Sequence, residues 1–152
     1  FLPQLIASGE TMKIGMEVLE PLLKEGMKSA GERGTILIAT VKGDIHDIGK
    51  NIVALMLRNH GYRVVDLGKD VAAERIVREI GRHRPQVVGL SALMTTTMTQ
   101  MKDVIALARR HGEKCPFVVG GAVVTKAYAE SIGAEYARDG VEAVQVIQQM
   151  IR

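Results

Sequence analysis

One stretch of the chain concentrates side chains able to do chemistry: Lys42-Gly43-Asp44-Ile45-His46-Asp47-Ile48-Gly49-Lys50. Phosphate binding is the first candidate. A P-loop has the form Gly-x-x-x-x-Gly-Lys-Ser/Thr. Here Asp44 through Ile48 is one residue too long between Gly43 and Gly49, and Asn51 follows Lys50 where a hydroxyl is required. Asp44 and Asp47 would also repel a polyphosphate. No Gly-x-Gly-x-x-Gly follows either, so nucleotide triphosphate and dinucleotide readings are weak.

Asp44-x-His46 offers other chemistry. A neutral imidazole can ligate a metal through one nitrogen while the other donates to a carboxylate, which fixes the tautomer and raises basicity. Asp44 is placed to be that carboxylate. In isolation the simpler reading is a helix cap, Asp44 or Asp47, beside an exposed histidine. His60, His83 and His111 read as helix-terminus residues, favourable to the helix dipole. None is near His46 in sequence, and Cys115 is alone, so a zinc site or cysteine cluster built from protein is not indicated.

The elements that must position this loop follow from periodicity. Thr35–Val41 is a short, β-branched apolar run, as in a buried parallel strand. Strands are expected next over Tyr62–Leu67, Gln86–Ser91, Phe117–Val119 and Ala134–Ala137. Helices are expected over Asp47–Asn59, Ala72–Arg82, Thr97–His111, Thr125–Ile132 and Val141–Ile151. This alternation predicts an α/β fold: a flavodoxin- or Rossmann-like, five-stranded parallel sheet of order 2-1-3-4-5. Ligands in such folds sit beyond the carboxyl ends of the strands, at the switch between strands 1 and 3. Three loops meet there: Lys42–Gly49, Ser91–Thr97 and Gly120–Thr125. Ahead of the sheet, apolar residues at Leu5, Ile6, Met12, Met16, Leu19, Leu22 and Leu23 predict helix over residues 5–30, interrupted at Pro21, with a linker at Gly31–Gly34.

Taken together, the three loops resemble the cobalamin-binding domain family. The pattern is Asp44-Ile45-His46-Asp47-Ile48-Gly49, then residues 50–90, then Ser91-Ala92-Leu93, then residues 94–119, then Gly120-Gly121. Each piece has an ordinary explanation: Ser91 a strand-end residue, Thr95 to Thr97 helix caps, Gly120-Gly121 a turn. Met94, Met98 and Met101 read as core packing. It is their joint occurrence at the family's spacing that is specific. Asp44 through Val53 and Val65-Asp66-Leu67-Gly68 look like the methyl-transfer branch of the family, which includes methionine synthase and the cognate corrinoid proteins of methyltransferases.

The resemblance implies a cobalamin or related corrinoid held with its own base off and His46 on the cobalt as axial ligand. It implies contacts from Gly43, Asp44, Ile45, Asp47, Gly49, Ser91, Leu93, Thr95, Gly120, Gly121, Asp139 and Gly140. Thr97 matches the hydroxyl of a His–Asp–hydroxyl triad in which methionine synthase has Ser. Residues 1–31 look like the end of a helical cap domain, with Leu2 at the position that shields the upper face of cobalt, and residues 32–152 like the corrinoid domain. The implied role is a methyl carrier that alternates between Co(I) and methyl-Co(III). Its implied partners are methyl-donor and methyl-acceptor methyltransferases and a reductive activase. The donor could be methanol, a methylamine, a methoxylated aromatic or methyltetrahydrofolate, and the acceptor a tetrahydrofolate or a thiol.

Composition narrows the rest. The chain has 152 residues, 47% hydrophobic, enough for one domain with a core and a small appendage. The net charge is only +3 and aromatics total 3%, which does not point to a nucleic-acid surface. No apolar run approaches a membrane span, and a lone cysteine fits a reducing, cytoplasmic setting. The start at Phe1 suggests a chain that begins inside a longer protein. Rival readings are a B12-dependent sensor domain, a mutase subunit, and a cofactor-free flavodoxin-like interaction module.

Overall fold

The computed structural model describes Lys13, Ile14, Glu17 and residues 33–152. Lys13, Ile14 and Glu17 are helical and exposed. The rest of the expected 5–30 helix, the break at Pro21, Leu2 and the boundary at residue 31 lie outside the described residues.

The described chain alternates strand and helix throughout: β1 (Thr35–Thr40), α1 (Ile48–Asn59), β2 (Arg63–Asp66), α2 (Ala73–His83), β3 (Val87–Ser91), α3 (Thr95–Arg110), β4 (Phe117–Gly120), α4 (Lys126–Ser131), β5 (Glu135–Tyr136) and α5 (Gly140–Ile151). The strands form one parallel sheet of order β2-β1-β3-β4-β5, as expected from the alternation. β1 is buried along almost its whole length, which is why it reads as a continuous apolar run. β2 and β5 are shorter than the sequence suggests. Each is an edge strand with a single neighbour, so pairing stops where that neighbour's register ends.

Two cores result, one on each face of the sheet. Ile76, Val77 and Ile80 of α2, Met101, Val104, Ile105 and Ala108 of α3, and Ala129 of α4 cover one face. Ala54 and Leu57 of α1 with Ala143, Val144 and Ile147 of α5 cover the other, over Ile36, Ile38, Val87 and Val118. In α2 the buried positions recur at helical spacing, and Arg75, Arg78 and Arg82 stay in water.

Helix α3 begins at Thr95, two residues ahead of the expected start. Met94 is its N-cap, and no threonine side chain caps it. Asp47 occupies the N-cap position of α1 without a side-chain capping bond. Met101 is core and Met98 packs against it, but Met94 is 36% exposed, a departure from the core role expected of it. No described helix is long and apolar enough to cross a membrane.

Candidate functional site

Because every strand is parallel, the loops after β1, β3 and β4 emerge at one edge of the sheet. β1 and β3 are direct neighbours, with Thr40 opposite Ser91, so the first two loops touch. Val41 N–H donates to the Ser91 carbonyl at 3.1 Å, and the Thr40 and Ser91 hydroxyls lie 2.7 Å apart.

Asp44 sits at this junction, fully buried. Its Oδ1 accepts from the His46 backbone N–H at 3.0 Å and from His46 Nδ1 at 2.8 Å. Its Oδ2 accepts from the Leu93 N–H at 2.7 Å and from the Thr97 hydroxyl at 2.6 Å. Burial pushes this carboxyl up. The bonds from Thr97, from the Leu93 and His46 amides and from the His46 ring outweigh it, and hold the group well below the usual carboxylate range. The Thr97 hydroxyl also lies 3.0 Å from the Met94 carbonyl, and its one proton goes to the shorter, charge-assisted contact.

The ionised state of Asp44 decides the state of His46. An ionised carboxylate only accepts, so Nδ1 must carry the proton, and in the neutral ring Nε2 holds the lone pair. Nε2 has no hydrogen-bond partner among the described residues, and the side chain is 44% exposed. The result is an imidazole fixed on one side and open on the other, which is the arrangement of a ligand histidine.

A second brace comes from a residue that sequence reading did not single out. Asp70 has a left-handed backbone, φ 51°. Its carboxylate accepts from the Gly43 N–H at 2.7 Å, and its own N–H donates to the Asp44 carbonyl at 2.9 Å. The loop carrying His46 is thus held from the β3 side by Asp44 and from the β2 side by Asp70.

Beside His46 a cleft of about 250 Å³ opens between the sheet and the helix pair α1 and α5. Of the expected site residues, His46, Gly49, Ser91, Leu93, Gly120, Gly121, Asp139 and Gly140 line it. A Cβ added at Gly49 would meet no protein atom within 4 Å, so it would stand in open space. Gly120 and Gly121 have another reason for lacking side chains. A Cβ at Gly120 would lie 2.9 Å from the Ala137 carbonyl oxygen, and one at Gly121 1.8 Å from that of Ala92. These glycines let backbone meet backbone at the mouth of the cleft. Asp139 caps α5 by accepting from the Glu142 N–H at 2.9 Å.

Other expected residues stand elsewhere. Thr95 is exposed at the start of α3 and does not line the cleft. Gly43, Ile45 and Asp47 belong to the His46 loop without lining the cleft, and Ile45 is 64% exposed. Leu2 lies outside the described residues.

Sequence reading passed over several lining residues. Gly89, in the middle of β3, lies between Ile38 and Val118 in register, on the floor of the cleft. A glycine inside a strand signals a close approach of ligand or backbone, and that signal was available. Lys50 lines the cleft with its side chain 3% exposed, its ammonium bound to Asp66 Oδ1 and Oδ2 at 2.7 and 2.8 Å and to Asn51 Oδ1 at 2.8 Å. Val53, Ala143 and Ile147 complete the walls, a pairing of α1 with α5 that no local pattern encodes.

Residues 34–147 match the B12 binding domain family. The chain is 41% identical over 155 residues to trimethylamine corrinoid protein 2 of Methanosarcina mazei, an alignment covering 100% of this chain and 71% of that one. Its fold superposes on the monomethylamine corrinoid protein of Methanosarcina barkeri with a TM-score of 0.84 at 38% identity, covering 98% of this chain and 71% of that one. The methanol:cobalamin methyltransferase complex MtaBC of Methanosarcina barkeri matches with a TM-score of 0.77 at 35% identity, covering 99% of this chain and 58% of that one. The chain belongs to the B12-binding domain family, and its cofactor is a cobalamin or related corrinoid.

Proposed function

We propose that this chain is the corrinoid-carrying member of a methyltransferase system, and that it holds the cofactor base-off with His46 as the lower axial ligand of cobalt. The observation that carries the ligand assignment is the state of His46. Its Nδ1 proton is committed to Asp44, and its Nε2 lone pair is left without a partner among the described residues.

The residues fit the group. The cleft beside His46 is small for a macrocycle and suits a nucleotide arm. The exposed apolar side chains of Ile45, Leu93 and Met94, on the loops that meet there, suit cover by a flat ring. Once bound, cobalt supplies the methyl-accepting and methyl-donating chemistry, and the protein supplies position and electrostatics. Asp44 keeps the His46 ring in one tautomer. Thr97 and the Leu93 N–H keep Asp44 ionised and so maintain that tautomer. A proton taken up on the Asp44–His46 pair competes with metal ligation, since a metal-bound nitrogen cannot also hold a proton.

The methyl carrier role is supported by the company of relatives, whose names point to trimethylamine, monomethylamine and methanol at similar identities of 41, 38 and 35%. In this reading the partner rather than this chain chooses the methyl donor, and the range of methyl sources in the names of relatives about equally similar to this chain supports it. The partners proposed are a donor methyltransferase, an acceptor methyltransferase and a reductive activase. Residues 32–152 form the corrinoid domain in this reading, and residues 1–31 the end of a cap in which Leu2 shields the upper face. The remaining family contacts, including Thr95, are part of the same proposal.

The test is His46→Gly in the corrinoid-loaded protein. Loss of the axial nitrogen should shift the visible absorption to that of a base-off corrinoid, and added imidazole should restore it. A loaded variant with the wild-type spectrum would overturn the ligand assignment.

A further inference from the structure

Just ahead of His46 the chain makes a tight turn over Val41–Asp44. The Asp44 N–H donates to the Val41 carbonyl at 3.1 Å, and Gly43, third in the turn, has φ 83°. Val41 is tied to the sheet, its own N–H donating to the Ser91 carbonyl at 3.1 Å. The bond that closes the turn leaves the Gly43 N–H and the Asp44 carbonyl to find partners elsewhere. Asp70 takes both. Its Oδ1 accepts from the Gly43 N–H at 2.7 Å, and its N–H donates to the Asp44 carbonyl at 2.9 Å.

Asp70 stands on fixed ground. Val71, the next residue, is 1% exposed, bridges Val41 in parallel, and donates to the Thr40 carbonyl at 3.1 Å. The backbone of Asp70 is left-handed, φ 51°, a conformation that strains most side chains and that Asp and Asn tolerate best. Folding stability does not explain the arrangement. Asp70 is exposed, and so is its bond to Gly43, so water could replace the carboxylate at little cost. Water could not fix the direction of the Gly43–Asp44 peptide.

We infer that Asp70 is a positioning residue for the axial ligand: it clamps the peptide from which His46 extends, and so holds the imidazole in the direction that ligates cobalt. Asp44 has a different task, since it sets the tautomer of the ring. The inference rests on the reading that His46 ligates cobalt. A ligand bond is directional. A loop free to turn presents Nε2 correctly only part of the time, and ligation weakens by that fraction.

The experiment uses the full chain loaded with methylcobalamin. The methyl group weakens the bond opposite it, so the ratio of ligated to unligated cobalt responds to small changes and is read from the visible spectrum. His46→Gly supplies the unligated reference. Asp70→Gly removes the carboxylate and accepts φ 51° without strain, and Asp70→Ala removes the same carboxylate without the backbone freedom of glycine. Both should lower the ratio about fivefold, the worth of one ordinary hydrogen bond. Asp70→Asn keeps an oxygen acceptor and tolerates the left-handed backbone, and should stay within about twofold of wild type.

Wild-type ratios in Asp70→Gly and Asp70→Ala, with His46→Gly shifted, would overturn the clamp and leave the ligand assignment standing. A fall in Asp70→Gly alone would trace the effect to backbone freedom and overturn it as well. An Asp70→Asn ratio as low as that of Asp70→Gly would assign the effect to charge, with the same consequence. A His46→Gly spectrum identical to wild type would overturn the ligand assignment and this inference with it. Should Asp70→Ala fail to fold, the Gly and Asn variants decide the matter.

Discussion

The hydroxyl of Thr97 donates to Oδ2 of Asp44 at 2.6 Å, joining the first turn of α3 to the loop after β1 across 53 residues of chain. Both groups are buried, with Asp44 at 0% and Thr97 at 6% exposure. The contact fixes the carboxylate that in turn fixes His46. Thr97→Val keeps the shape and removes the donor. It should destabilise the cofactor-free protein by about 1.5–3 kcal/mol, the range for a hydrogen bond to a charged group, and Thr97→Ser should recover most of it. Urea denaturation of the three proteins is the measurement. A wild-type midpoint for Thr97→Val would show that Asp44 does not depend on this hydroxyl.

Acid should weaken the protein through the same carboxylate. Asp44 holds its proton less tightly in the folded chain than in the unfolded chain. Its contribution is therefore complete above the unfolded carboxylate pKa of about 4 and is lost as pH falls through and below that value. The slope it adds approaches about 1.4 kcal/mol per pH unit there. Asp44→Asn has no such group to titrate. It should be less stable than wild type near neutrality, and the two urea midpoints should converge as the pH is taken down to about 3. A constant gap between them would mean that Asp44 is not depressed.

Two glycines of the site should respond in opposite ways to alanine. At Gly121, φ is 133° and a Cβ would sit 1.8 Å from the Ala92 carbonyl oxygen. Gly121→Ala should cost about 3 kcal/mol or more, or prevent folding. At Gly49 a Cβ meets open space within helix α1. Gly49→Ala should raise the melting temperature of the cofactor-free protein, by about 0.5 kcal/mol in stability, while weakening uptake of a corrinoid with its nucleotide arm. Thermal melts and equilibrium dialysis separate the two effects. Unchanged uptake by Gly49→Ala would place the arm away from α1.

The Lys50–Asp66 pair should be asymmetric. Lys50 is 3% exposed and Asp66 23%. Asp66→Ala strands a buried ammonium and should cost about 3 kcal/mol, whereas Lys50→Met leaves a carboxylate that water can reach and should cost about 1 kcal/mol. The double variant should be more stable than Asp66→Ala alone. Equal losses in the two single variants, read from chemical denaturation, would contradict this.

Much of this protein was legible in its residues. Alternating β-branched runs and amphipathic helices specify the order of elements, and parallel pairing then carries the loops after β1, β3 and β4 to one edge. That much brought the three loops together, and the resemblance to the cobalamin-binding domain family then singled out Asp44, His46, Ser91 and Gly120 within them. The folded chain alone decided which side chains meet. Thr95 and Thr97 lie in one threonine run, but successive helical residues turn by about 100°, so when Thr97 faces Asp44 its neighbour two places back points to solvent. At Gly121 the folded chain brings the Ala92 carbonyl to the place a side chain would occupy, an approach that no local pattern encodes. Lys50 with Asp66, and the brace from Asp70, acquire meaning only when the sheet sets β1 between β2 and β3 and α1 against α5. Local pattern records what a segment buries, whereas long-range packing determines what it is buried against.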